Sequence, residues 1–118
     1  MKTVIIIPAR YKSTRFPGKP LTPILGKPMI LWVAELCAEV LPAEFVYVAT
    51  EDFQIKEIVE KAGFNVVMTS NKCLTGTDRL AEAAAQIEAD IYVNVQGDEP
   101  LLNPTDILKI IEAKKLYP

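Results

Sequence analysis

Arg10, Lys12, Arg15 and Lys19 crowd into residues 8–20 with no carboxylate among them. Like charges held in one loop repel unless an anion joins them. Phosphate meets that need: a guanidinium takes phosphoryl oxygens through paired hydrogen bonds, and an ammonium adds a compact point charge. Ser13, Thr14 and the backbone amides around Gly18 add neutral donors. The competing reading is a solvated basic loop. The phosphate reading is favoured by the position directly after the first apolar run and by the shape-holding Pro17-Gly18 pair. The stretch is neither a P-loop, since no Gly-Lys-Ser/Thr follows a spaced glycine, nor a Gly-x-Gly-x-x-Gly fingerprint.

Two further stretches carry chemistry. Gln96-Gly97-Asp98-Glu99-Pro100 sets adjacent carboxylates just past an apolar run. Carboxylates in such a place suit a hard cation, and Mg²⁺ takes one or two of them together with phosphate oxygens and water, so Asp98 opposite the basic loop reads as a metal ligand. The alternative is an acidic turn, with Glu99 and Asp106 favouring the start of a last helix. The polar residues from Met68 to Arg79, including Gly76, can surround a base with hydroxyl and backbone bonds. Capping of a helix by Thr77, with Asp78 in its first turn, accounts for much of the same pattern, and Arg79 could pair with a nearby acid.

The elements that must position these loops are legible in the apolar pattern. Thr3 to Ile7, Phe45 to Ala49, Asn65 to Met68 and Ile91 to Val95 are short, Val/Ile-rich and almost continuously apolar, as strands buried on both faces are. Between them, apolar residues recur three and four apart. Met29, Trp32, Val33, Leu36 and Cys37 form a first helix with Pro28 in its first turn, and Ile55, Ile58, Val59 and Ala62 a second, with Asp52 at its start and Gly63 at its end. Leu80, Ala83, Ala84 and Ile87 form a third, capped by Thr77 or Asp78, and a fourth starts at Pro104. Strands alternating with helices predict an α/β domain around a mostly parallel sheet, whose ligand lies at the carboxyl ends of the strands.

Composition narrows the function. The 118 residues suffice for one domain. A net charge of −2 recommends neither nucleic acid nor an anionic membrane. The charge is nonetheless uneven: residues 1–34 hold six cations and no acid, and the other 84 hold seven cations and all fifteen acids. The run from Val4 to Ile7 is too short for a signal peptide or a span, so the expectation is a cytoplasmic chain without a membrane partner. With no histidine and with Cys37 and Cys73 unrelated in spacing, a structural zinc site lacks ligands, and both cysteines read as reduced thiols, Cys37 in the core.

Taken together, the stretches from Ile6 to Tyr11, Ser13 to Leu21, Gly26 to Ile30, Val48 to Thr50, Gly76 to Glu82 and Val93 to Pro100 closely resemble the 3-deoxy-manno-octulosonate (Kdo) cytidylyltransferases. The resemblance implies a three-layer, Rossmann-like open sheet of the nucleotide-diphospho-sugar transferase type, of which residues 1–118 are the CTP-binding N-terminal portion. It implies transfer of CMP from CTP to the anomeric hydroxyl of Kdo for lipopolysaccharide biosynthesis, with Mg²⁺ as cofactor and a homodimer for the full-length protein. Arg10, Ser13, Arg15 and Lys19 match the family's triphosphate loop. Gly76 and the polar residues beside it, Thr75, Thr77 and Arg79, match the region that contacts cytosine and ribose, while Gln96 and Asp98 match the sugar-proximal and Mg²⁺-binding positions. Cys73 and Thr75 depart from a histidine and a serine found in many members. Family members are about twice as long, within the usual range of a single domain. The expectation is therefore a nucleotide-binding half with little turnover of its own. An 8-amino-Kdo or sialic-like substrate, or a nucleotide-binding module without catalysis, remain open alternatives.

Overall fold

The computed structural model of the chain describes residues 2–11, 18–70, 72 and 76–95, with Gly76 and Thr77 described by backbone alone. β-Branched residues dominate the first run, and all six residues of strand β1, Thr3–Pro8, are buried. A strand hidden on both faces must lie inside a covered sheet. On one edge β1 pairs in parallel with β4 (Val46–Thr50), Ile5 opposite Val46 and Ile7 opposite Val48. On the other it pairs in parallel with β6 (Ile91–Asn94), Thr3 opposite Ile91 and Ile5 opposite Val93. Strand β5 (Asn65–Met68) extends the sheet beyond β4, giving the order β5-β4-β1-β6.

Side chains alternate across a strand, and β1 divides its own between two cores. Ile5 and Ile7 pack with Val46, Val48 and Val93 under helices α1 (Met29–Ala38) and α2 (Phe53–Lys61), which contribute Ile30, Val33, Ala34, Cys37, Ile55 and Val59. Val4 and Ile6 face the other way, toward Ala49, Val67, Ala83 and Ile87, beneath helix α3 (Gly76–Ala84). Three layers result. Each fully buried Ile or Val contributes about 1.5–3 kcal/mol relative to exposure, so the two-sided burial of β1 makes it the centre of the fold.

Helix ends follow local chemistry. Asp52 caps α2, its Oδ2 accepting the Ile55 N–H at 2.9 Å, and Gly63 follows the helix at φ 93°. Helix α3 starts at Gly76, so Thr77 and Asp78, read from the sequence as caps, lie inside its first turn, where an acid favours the positive helix end. It stops at Ala84, and Ile87 reaches the core from the turn beyond. Pro28 keeps an extended ψ of 139° and precedes α1. The fourth helix expected from Pro104, and Cys73, lie outside the described residues.

One element is absent from the apolar pattern. Pro23–Ile24 (β2) and Lys27–Pro28 (β3) form an antiparallel hairpin whose central residues, Leu25 and Gly26, have φ of 52° and 81°, the left-handed pair that a type I′ turn requires. Two-residue strands are too short for periodicity to register. The hairpin is fastened to α1: Trp32 Nε1 donates to Ile24 O at 2.7 Å, Met29 N to Thr22 O at 2.9 Å, and Lys27 Nζ lies 2.6 Å from Glu35 and 4.3 Å above the Trp32 ring.

The basic N-terminal third does not form one face. Lys2 precedes β1, where its backbone N–H meets Asp90 at 2.7 Å, whereas Arg10 follows β1 at the far end. At about 3.3 Å per residue the strand separates them by over 20 Å. Lys27 belongs to the hairpin. Among the described residues no helix is long and apolar enough to cross a membrane.

Candidate functional site

A parallel sheet offers its ligand crevice at the carboxyl ends of the strands, where successive connections leave in opposite directions. From β1 the chain moves to β4 and β5 on one side and returns to place β6 on the other, so that point lies between β1 and β6. The basic segment leaves β1, and Gln96 and Asp98 follow β6 in sequence, although both lie outside the described residues.

Backbone pairing continues past the strand ends and builds a stiff floor. Ala9 N donates to Ala49 O at 2.8 Å, Thr69 N to Thr50 O at 2.9 Å and Val95 N to Ile6 O at 3.1 Å. On this floor the basic segment is closed at its base. Gly18 N donates to Tyr11 O at 2.7 Å, bringing together the two ends of the stretch 12–17. Gly18 adopts φ 75°, and a Cβ added there would stand 3.0 Å from Tyr11 Cε2, so left-handed backbone and a close ring both call for glycine. A single 3₁₀ turn, Lys19–Leu21, follows, with Leu21 N bound to Gly18 O at 2.9 Å and Thr22 N to Lys19 O at 3.0 Å. Exposed Arg10 and half-buried Lys19 therefore flank one closure. Of the other residues expected to bind phosphate, Lys12, Ser13 and Arg15 lie outside the described residues.

The stem of this loop has a second anchor. Tyr11 N donates to Glu51 Oε1 at 2.8 Å. Glu51 stands between β4 and α2, beside Thr50, whose Oγ1 accepts the Asp52 N–H at 3.2 Å. The sequence pattern marked Asp52 as a helix start but did not single out Glu51; the available signal was an acid on a loop at the carboxyl end of a strand, the same rule that directed attention to the neighbouring loops.

Beyond β5, the structure gives Arg79 a place inside the fold. It is 2% exposed, and its Nη1 donates to Thr69 Oγ1 and, at 3.3 Å, to Ser70 O. Glu82 Oε1 accepts Ser70 N at 2.7 Å, and Gln86 Nε2 donates to Met68 O at 3.2 Å. Two side chains of helix α3, Arg79 and Glu82, and Gln86 in the turn beyond it thus brace the start of the polar loop. Gly76 opens that helix and Thr77 follows it. Thr75 lies outside the described residues.

No three metal-ligating side chains converge among the described residues. Cys37 takes no part in the site. It is a free, buried thiol, and burial pushes it up to about 12, so it stays protonated and unreactive in the fold.

A family profile described as cytidylyltransferase matches residues 4–116. A 3-deoxy-manno-octulosonate cytidylyltransferase 2 from Hydrogenovibrio crunogenus is 54% identical over 118 residues, covering 98% of this chain and 48% of the relative. An 8-amino-3,8-dideoxy-manno-octulosonate cytidylyltransferase from Shewanella amazonensis is 46% identical over 121 residues, with 100% and 49% covered. The chain spans about half the length of these curated relatives. A solved CMP:2-keto-3-deoxy-manno-octonic acid synthetase complexed with CTP matches the whole chain with a TM-score of 0.94 at 47% identity, over 49% of its own length.

Proposed function

We propose, from the premise that this chain belongs to the cytidylyltransferase family, that it is the CTP-binding half of an enzyme transferring CMP to the anomeric hydroxyl of Kdo. The observation that carries the reading is the likeness, at 47% identity over the whole chain, to a synthetase solved with CTP. The closed basic loop at the β1 end supports it, because Arg10 and Lys19 flank that closure, and preorganised cations suit a triphosphate.

In this reading Arg10, Ser13, Arg15 and Lys19 hold the triphosphate, while Thr75, Gly76 and Thr77 line the nucleoside. Arg79 serves the nucleoside contact indirectly, by fixing Thr69 and Ser70. Gln96 lies toward the sugar. The sugar hydroxyl loses its proton to solvent and forms a bond to the α-phosphorus as the bond from that phosphorus to the oxygen bridging to the β-phosphate breaks, and pyrophosphate leaves. Charge grows on the equatorial and leaving oxygens, and the arginine and lysine groups stabilise it in place. Mg²⁺, held through Asp98 and the phosphates, would supply further neutralisation of that charge. The enzyme is proposed to act in the cytoplasm as a homodimer, in lipopolysaccharide biosynthesis.

A second sugar stays in view for a specific reason: relatives named for the 8-amino-3,8-dideoxy sugar are as similar as 48% identical over the whole chain. Pyrophosphate release by the full-length protein, assayed with CTP and each of the two sugars, tests the proposal. Turnover with Kdo supports it, turnover with only the 8-amino sugar replaces the acceptor, and turnover with neither overturns it.

A further inference from the structure

Tyr11 is held at both ends of its own backbone unit, its N–H by Glu51 and its C=O by the Gly18 N–H. The second bond closes the basic loop; the first ties that closure to the turn between β4 and α2. We infer that Glu51 is a positioning residue for the basic loop, its carboxylate orienting the stem from which the phosphate-binding residues depart. The inference rests on the reading of that loop as the triphosphate site.

Electrostatics makes the assignment pointed. A carboxylate beside a site for a polyanion opposes binding through its field. An acid here is therefore a liability unless its bond to Tyr11 does more good than its charge does harm. The geometry supplies that good. Glu51 Oε1 meets Tyr11 N at 2.8 Å and is approached by Thr50 Oγ1 at 3.5 Å, and the neighbouring Asp52 is locked as the α2 cap at 2.9 Å from Ile55 N. Glu51 thus joins two stiff elements to the loop: buried β4 and capped α2. Without it Tyr11 keeps its ring beneath Gly18 but loses the bond that sets the direction of its peptide plane.

The two effects of Glu51 have opposite signs, which separates them by experiment. Glu51→Ala removes both bond and charge; Glu51→Gln removes the charge and keeps an oxygen that accepts the Tyr11 N–H. The chain is titrated with CTP in the presence of Mg²⁺ and followed by amide NMR, a readout that registers weak binding. The expected result is a Glu51→Ala affinity about tenfold below the parent, the scale of one charge-assisted hydrogen bond, with Glu51→Gln at or above the parent. Exchange of the Tyr11 amide should quicken in Glu51→Ala and not in Glu51→Gln, while the amides of Ile5 to Ile7 stay protected in both. A Glu51→Ala chain that binds CTP as tightly as the parent, or more tightly, overturns the inference alone. So does a Glu51→Gln chain as impaired as Glu51→Ala. A parent that does not bind CTP overturns the site reading and the inference with it.

Discussion

Replacing Arg79 by Met tests whether this residue acts from within the fold. The guanidinium is 2% exposed and donates to Thr69 Oγ1 and Ser70 O, while Glu82 holds the Ser70 N–H at 2.7 Å. Methionine fills much of the aliphatic volume but donates nothing. Hydrogen bonds from charged groups contribute about 1.5–3 kcal/mol each, and Arg79 makes two, to a hydroxyl and a backbone carbonyl. The expected loss for Arg79→Met is therefore about 3–6 kcal/mol, a large share of the roughly 5–15 kcal/mol that a domain has. Urea unfolding followed by Trp32 fluorescence measures it: the midpoint should fall with an unchanged slope. Arg79→Lys, which restores a charge without the fork, should fall between the two. A loss below about 1 kcal/mol for Arg79→Met, well under one charged hydrogen bond, would mean that Arg79 does not hold the fold together from within. If CTP binding then fell alone, Arg79 would become a direct nucleoside contact.

Other outcomes follow from single residues. Gly18→Ala should destabilise by about 1–2 kcal/mol, the cost of a side chain in left-handed backbone, and should weaken CTP binding, because its Cβ meets Tyr11 at 3.0 Å; thermal unfolding and titration check both. Leu25→Asn should stabilise the chain by about 0.5–1 kcal/mol, since Leu25 is 91% exposed at φ 52° and asparagine suits that turn position. Cys37 predicts an alkaline effect. Its folded value, about 12, lies above the ordinary 9.0, so the stability it contributes is complete below pH 9 and is lost as pH rises toward 12, at about 1.4 kcal/mol per pH unit. Urea midpoints across that window should fall less steeply in Cys37→Ala.

What could be read beforehand was what depends on local pattern. The strand Thr3–Pro8 declared itself through near-continuous Val and Ile, because burial on both faces leaves no polar alternation; Asn65–Met68, only partly buried at the end of the described sheet, was marked by Val66 and Val67. The basic loop was visible because four cations with no acid among them are visible in a sequence. Its closure was not: the bond between Tyr11 and Gly18 spans seven residues, and that between Tyr11 and Glu51 spans forty. No periodicity carries information over such a distance. The same holds for Arg79, where sequence offers a cation near acids and only packing decides whether it faces a ligand or the core. The hairpin at Leu25 and Gly26 escaped because its first turn residue is a leucine rather than the asparagine or glycine that marks such turns.

Whether the basic loop binds the triphosphate of CTP is decided by calorimetric titration of the chain with CTP and with ATP, with and without Mg²⁺, repeated on Lys19→Ala and Arg15→Ala. Binding should prefer CTP, strengthen with Mg²⁺ and weaken in each variant by about 1.5–3 kcal/mol, the worth of one charged hydrogen-bond donor. Equal affinity for CTP and ATP, or variants that bind CTP as the parent does, would contradict triphosphate binding by the loop.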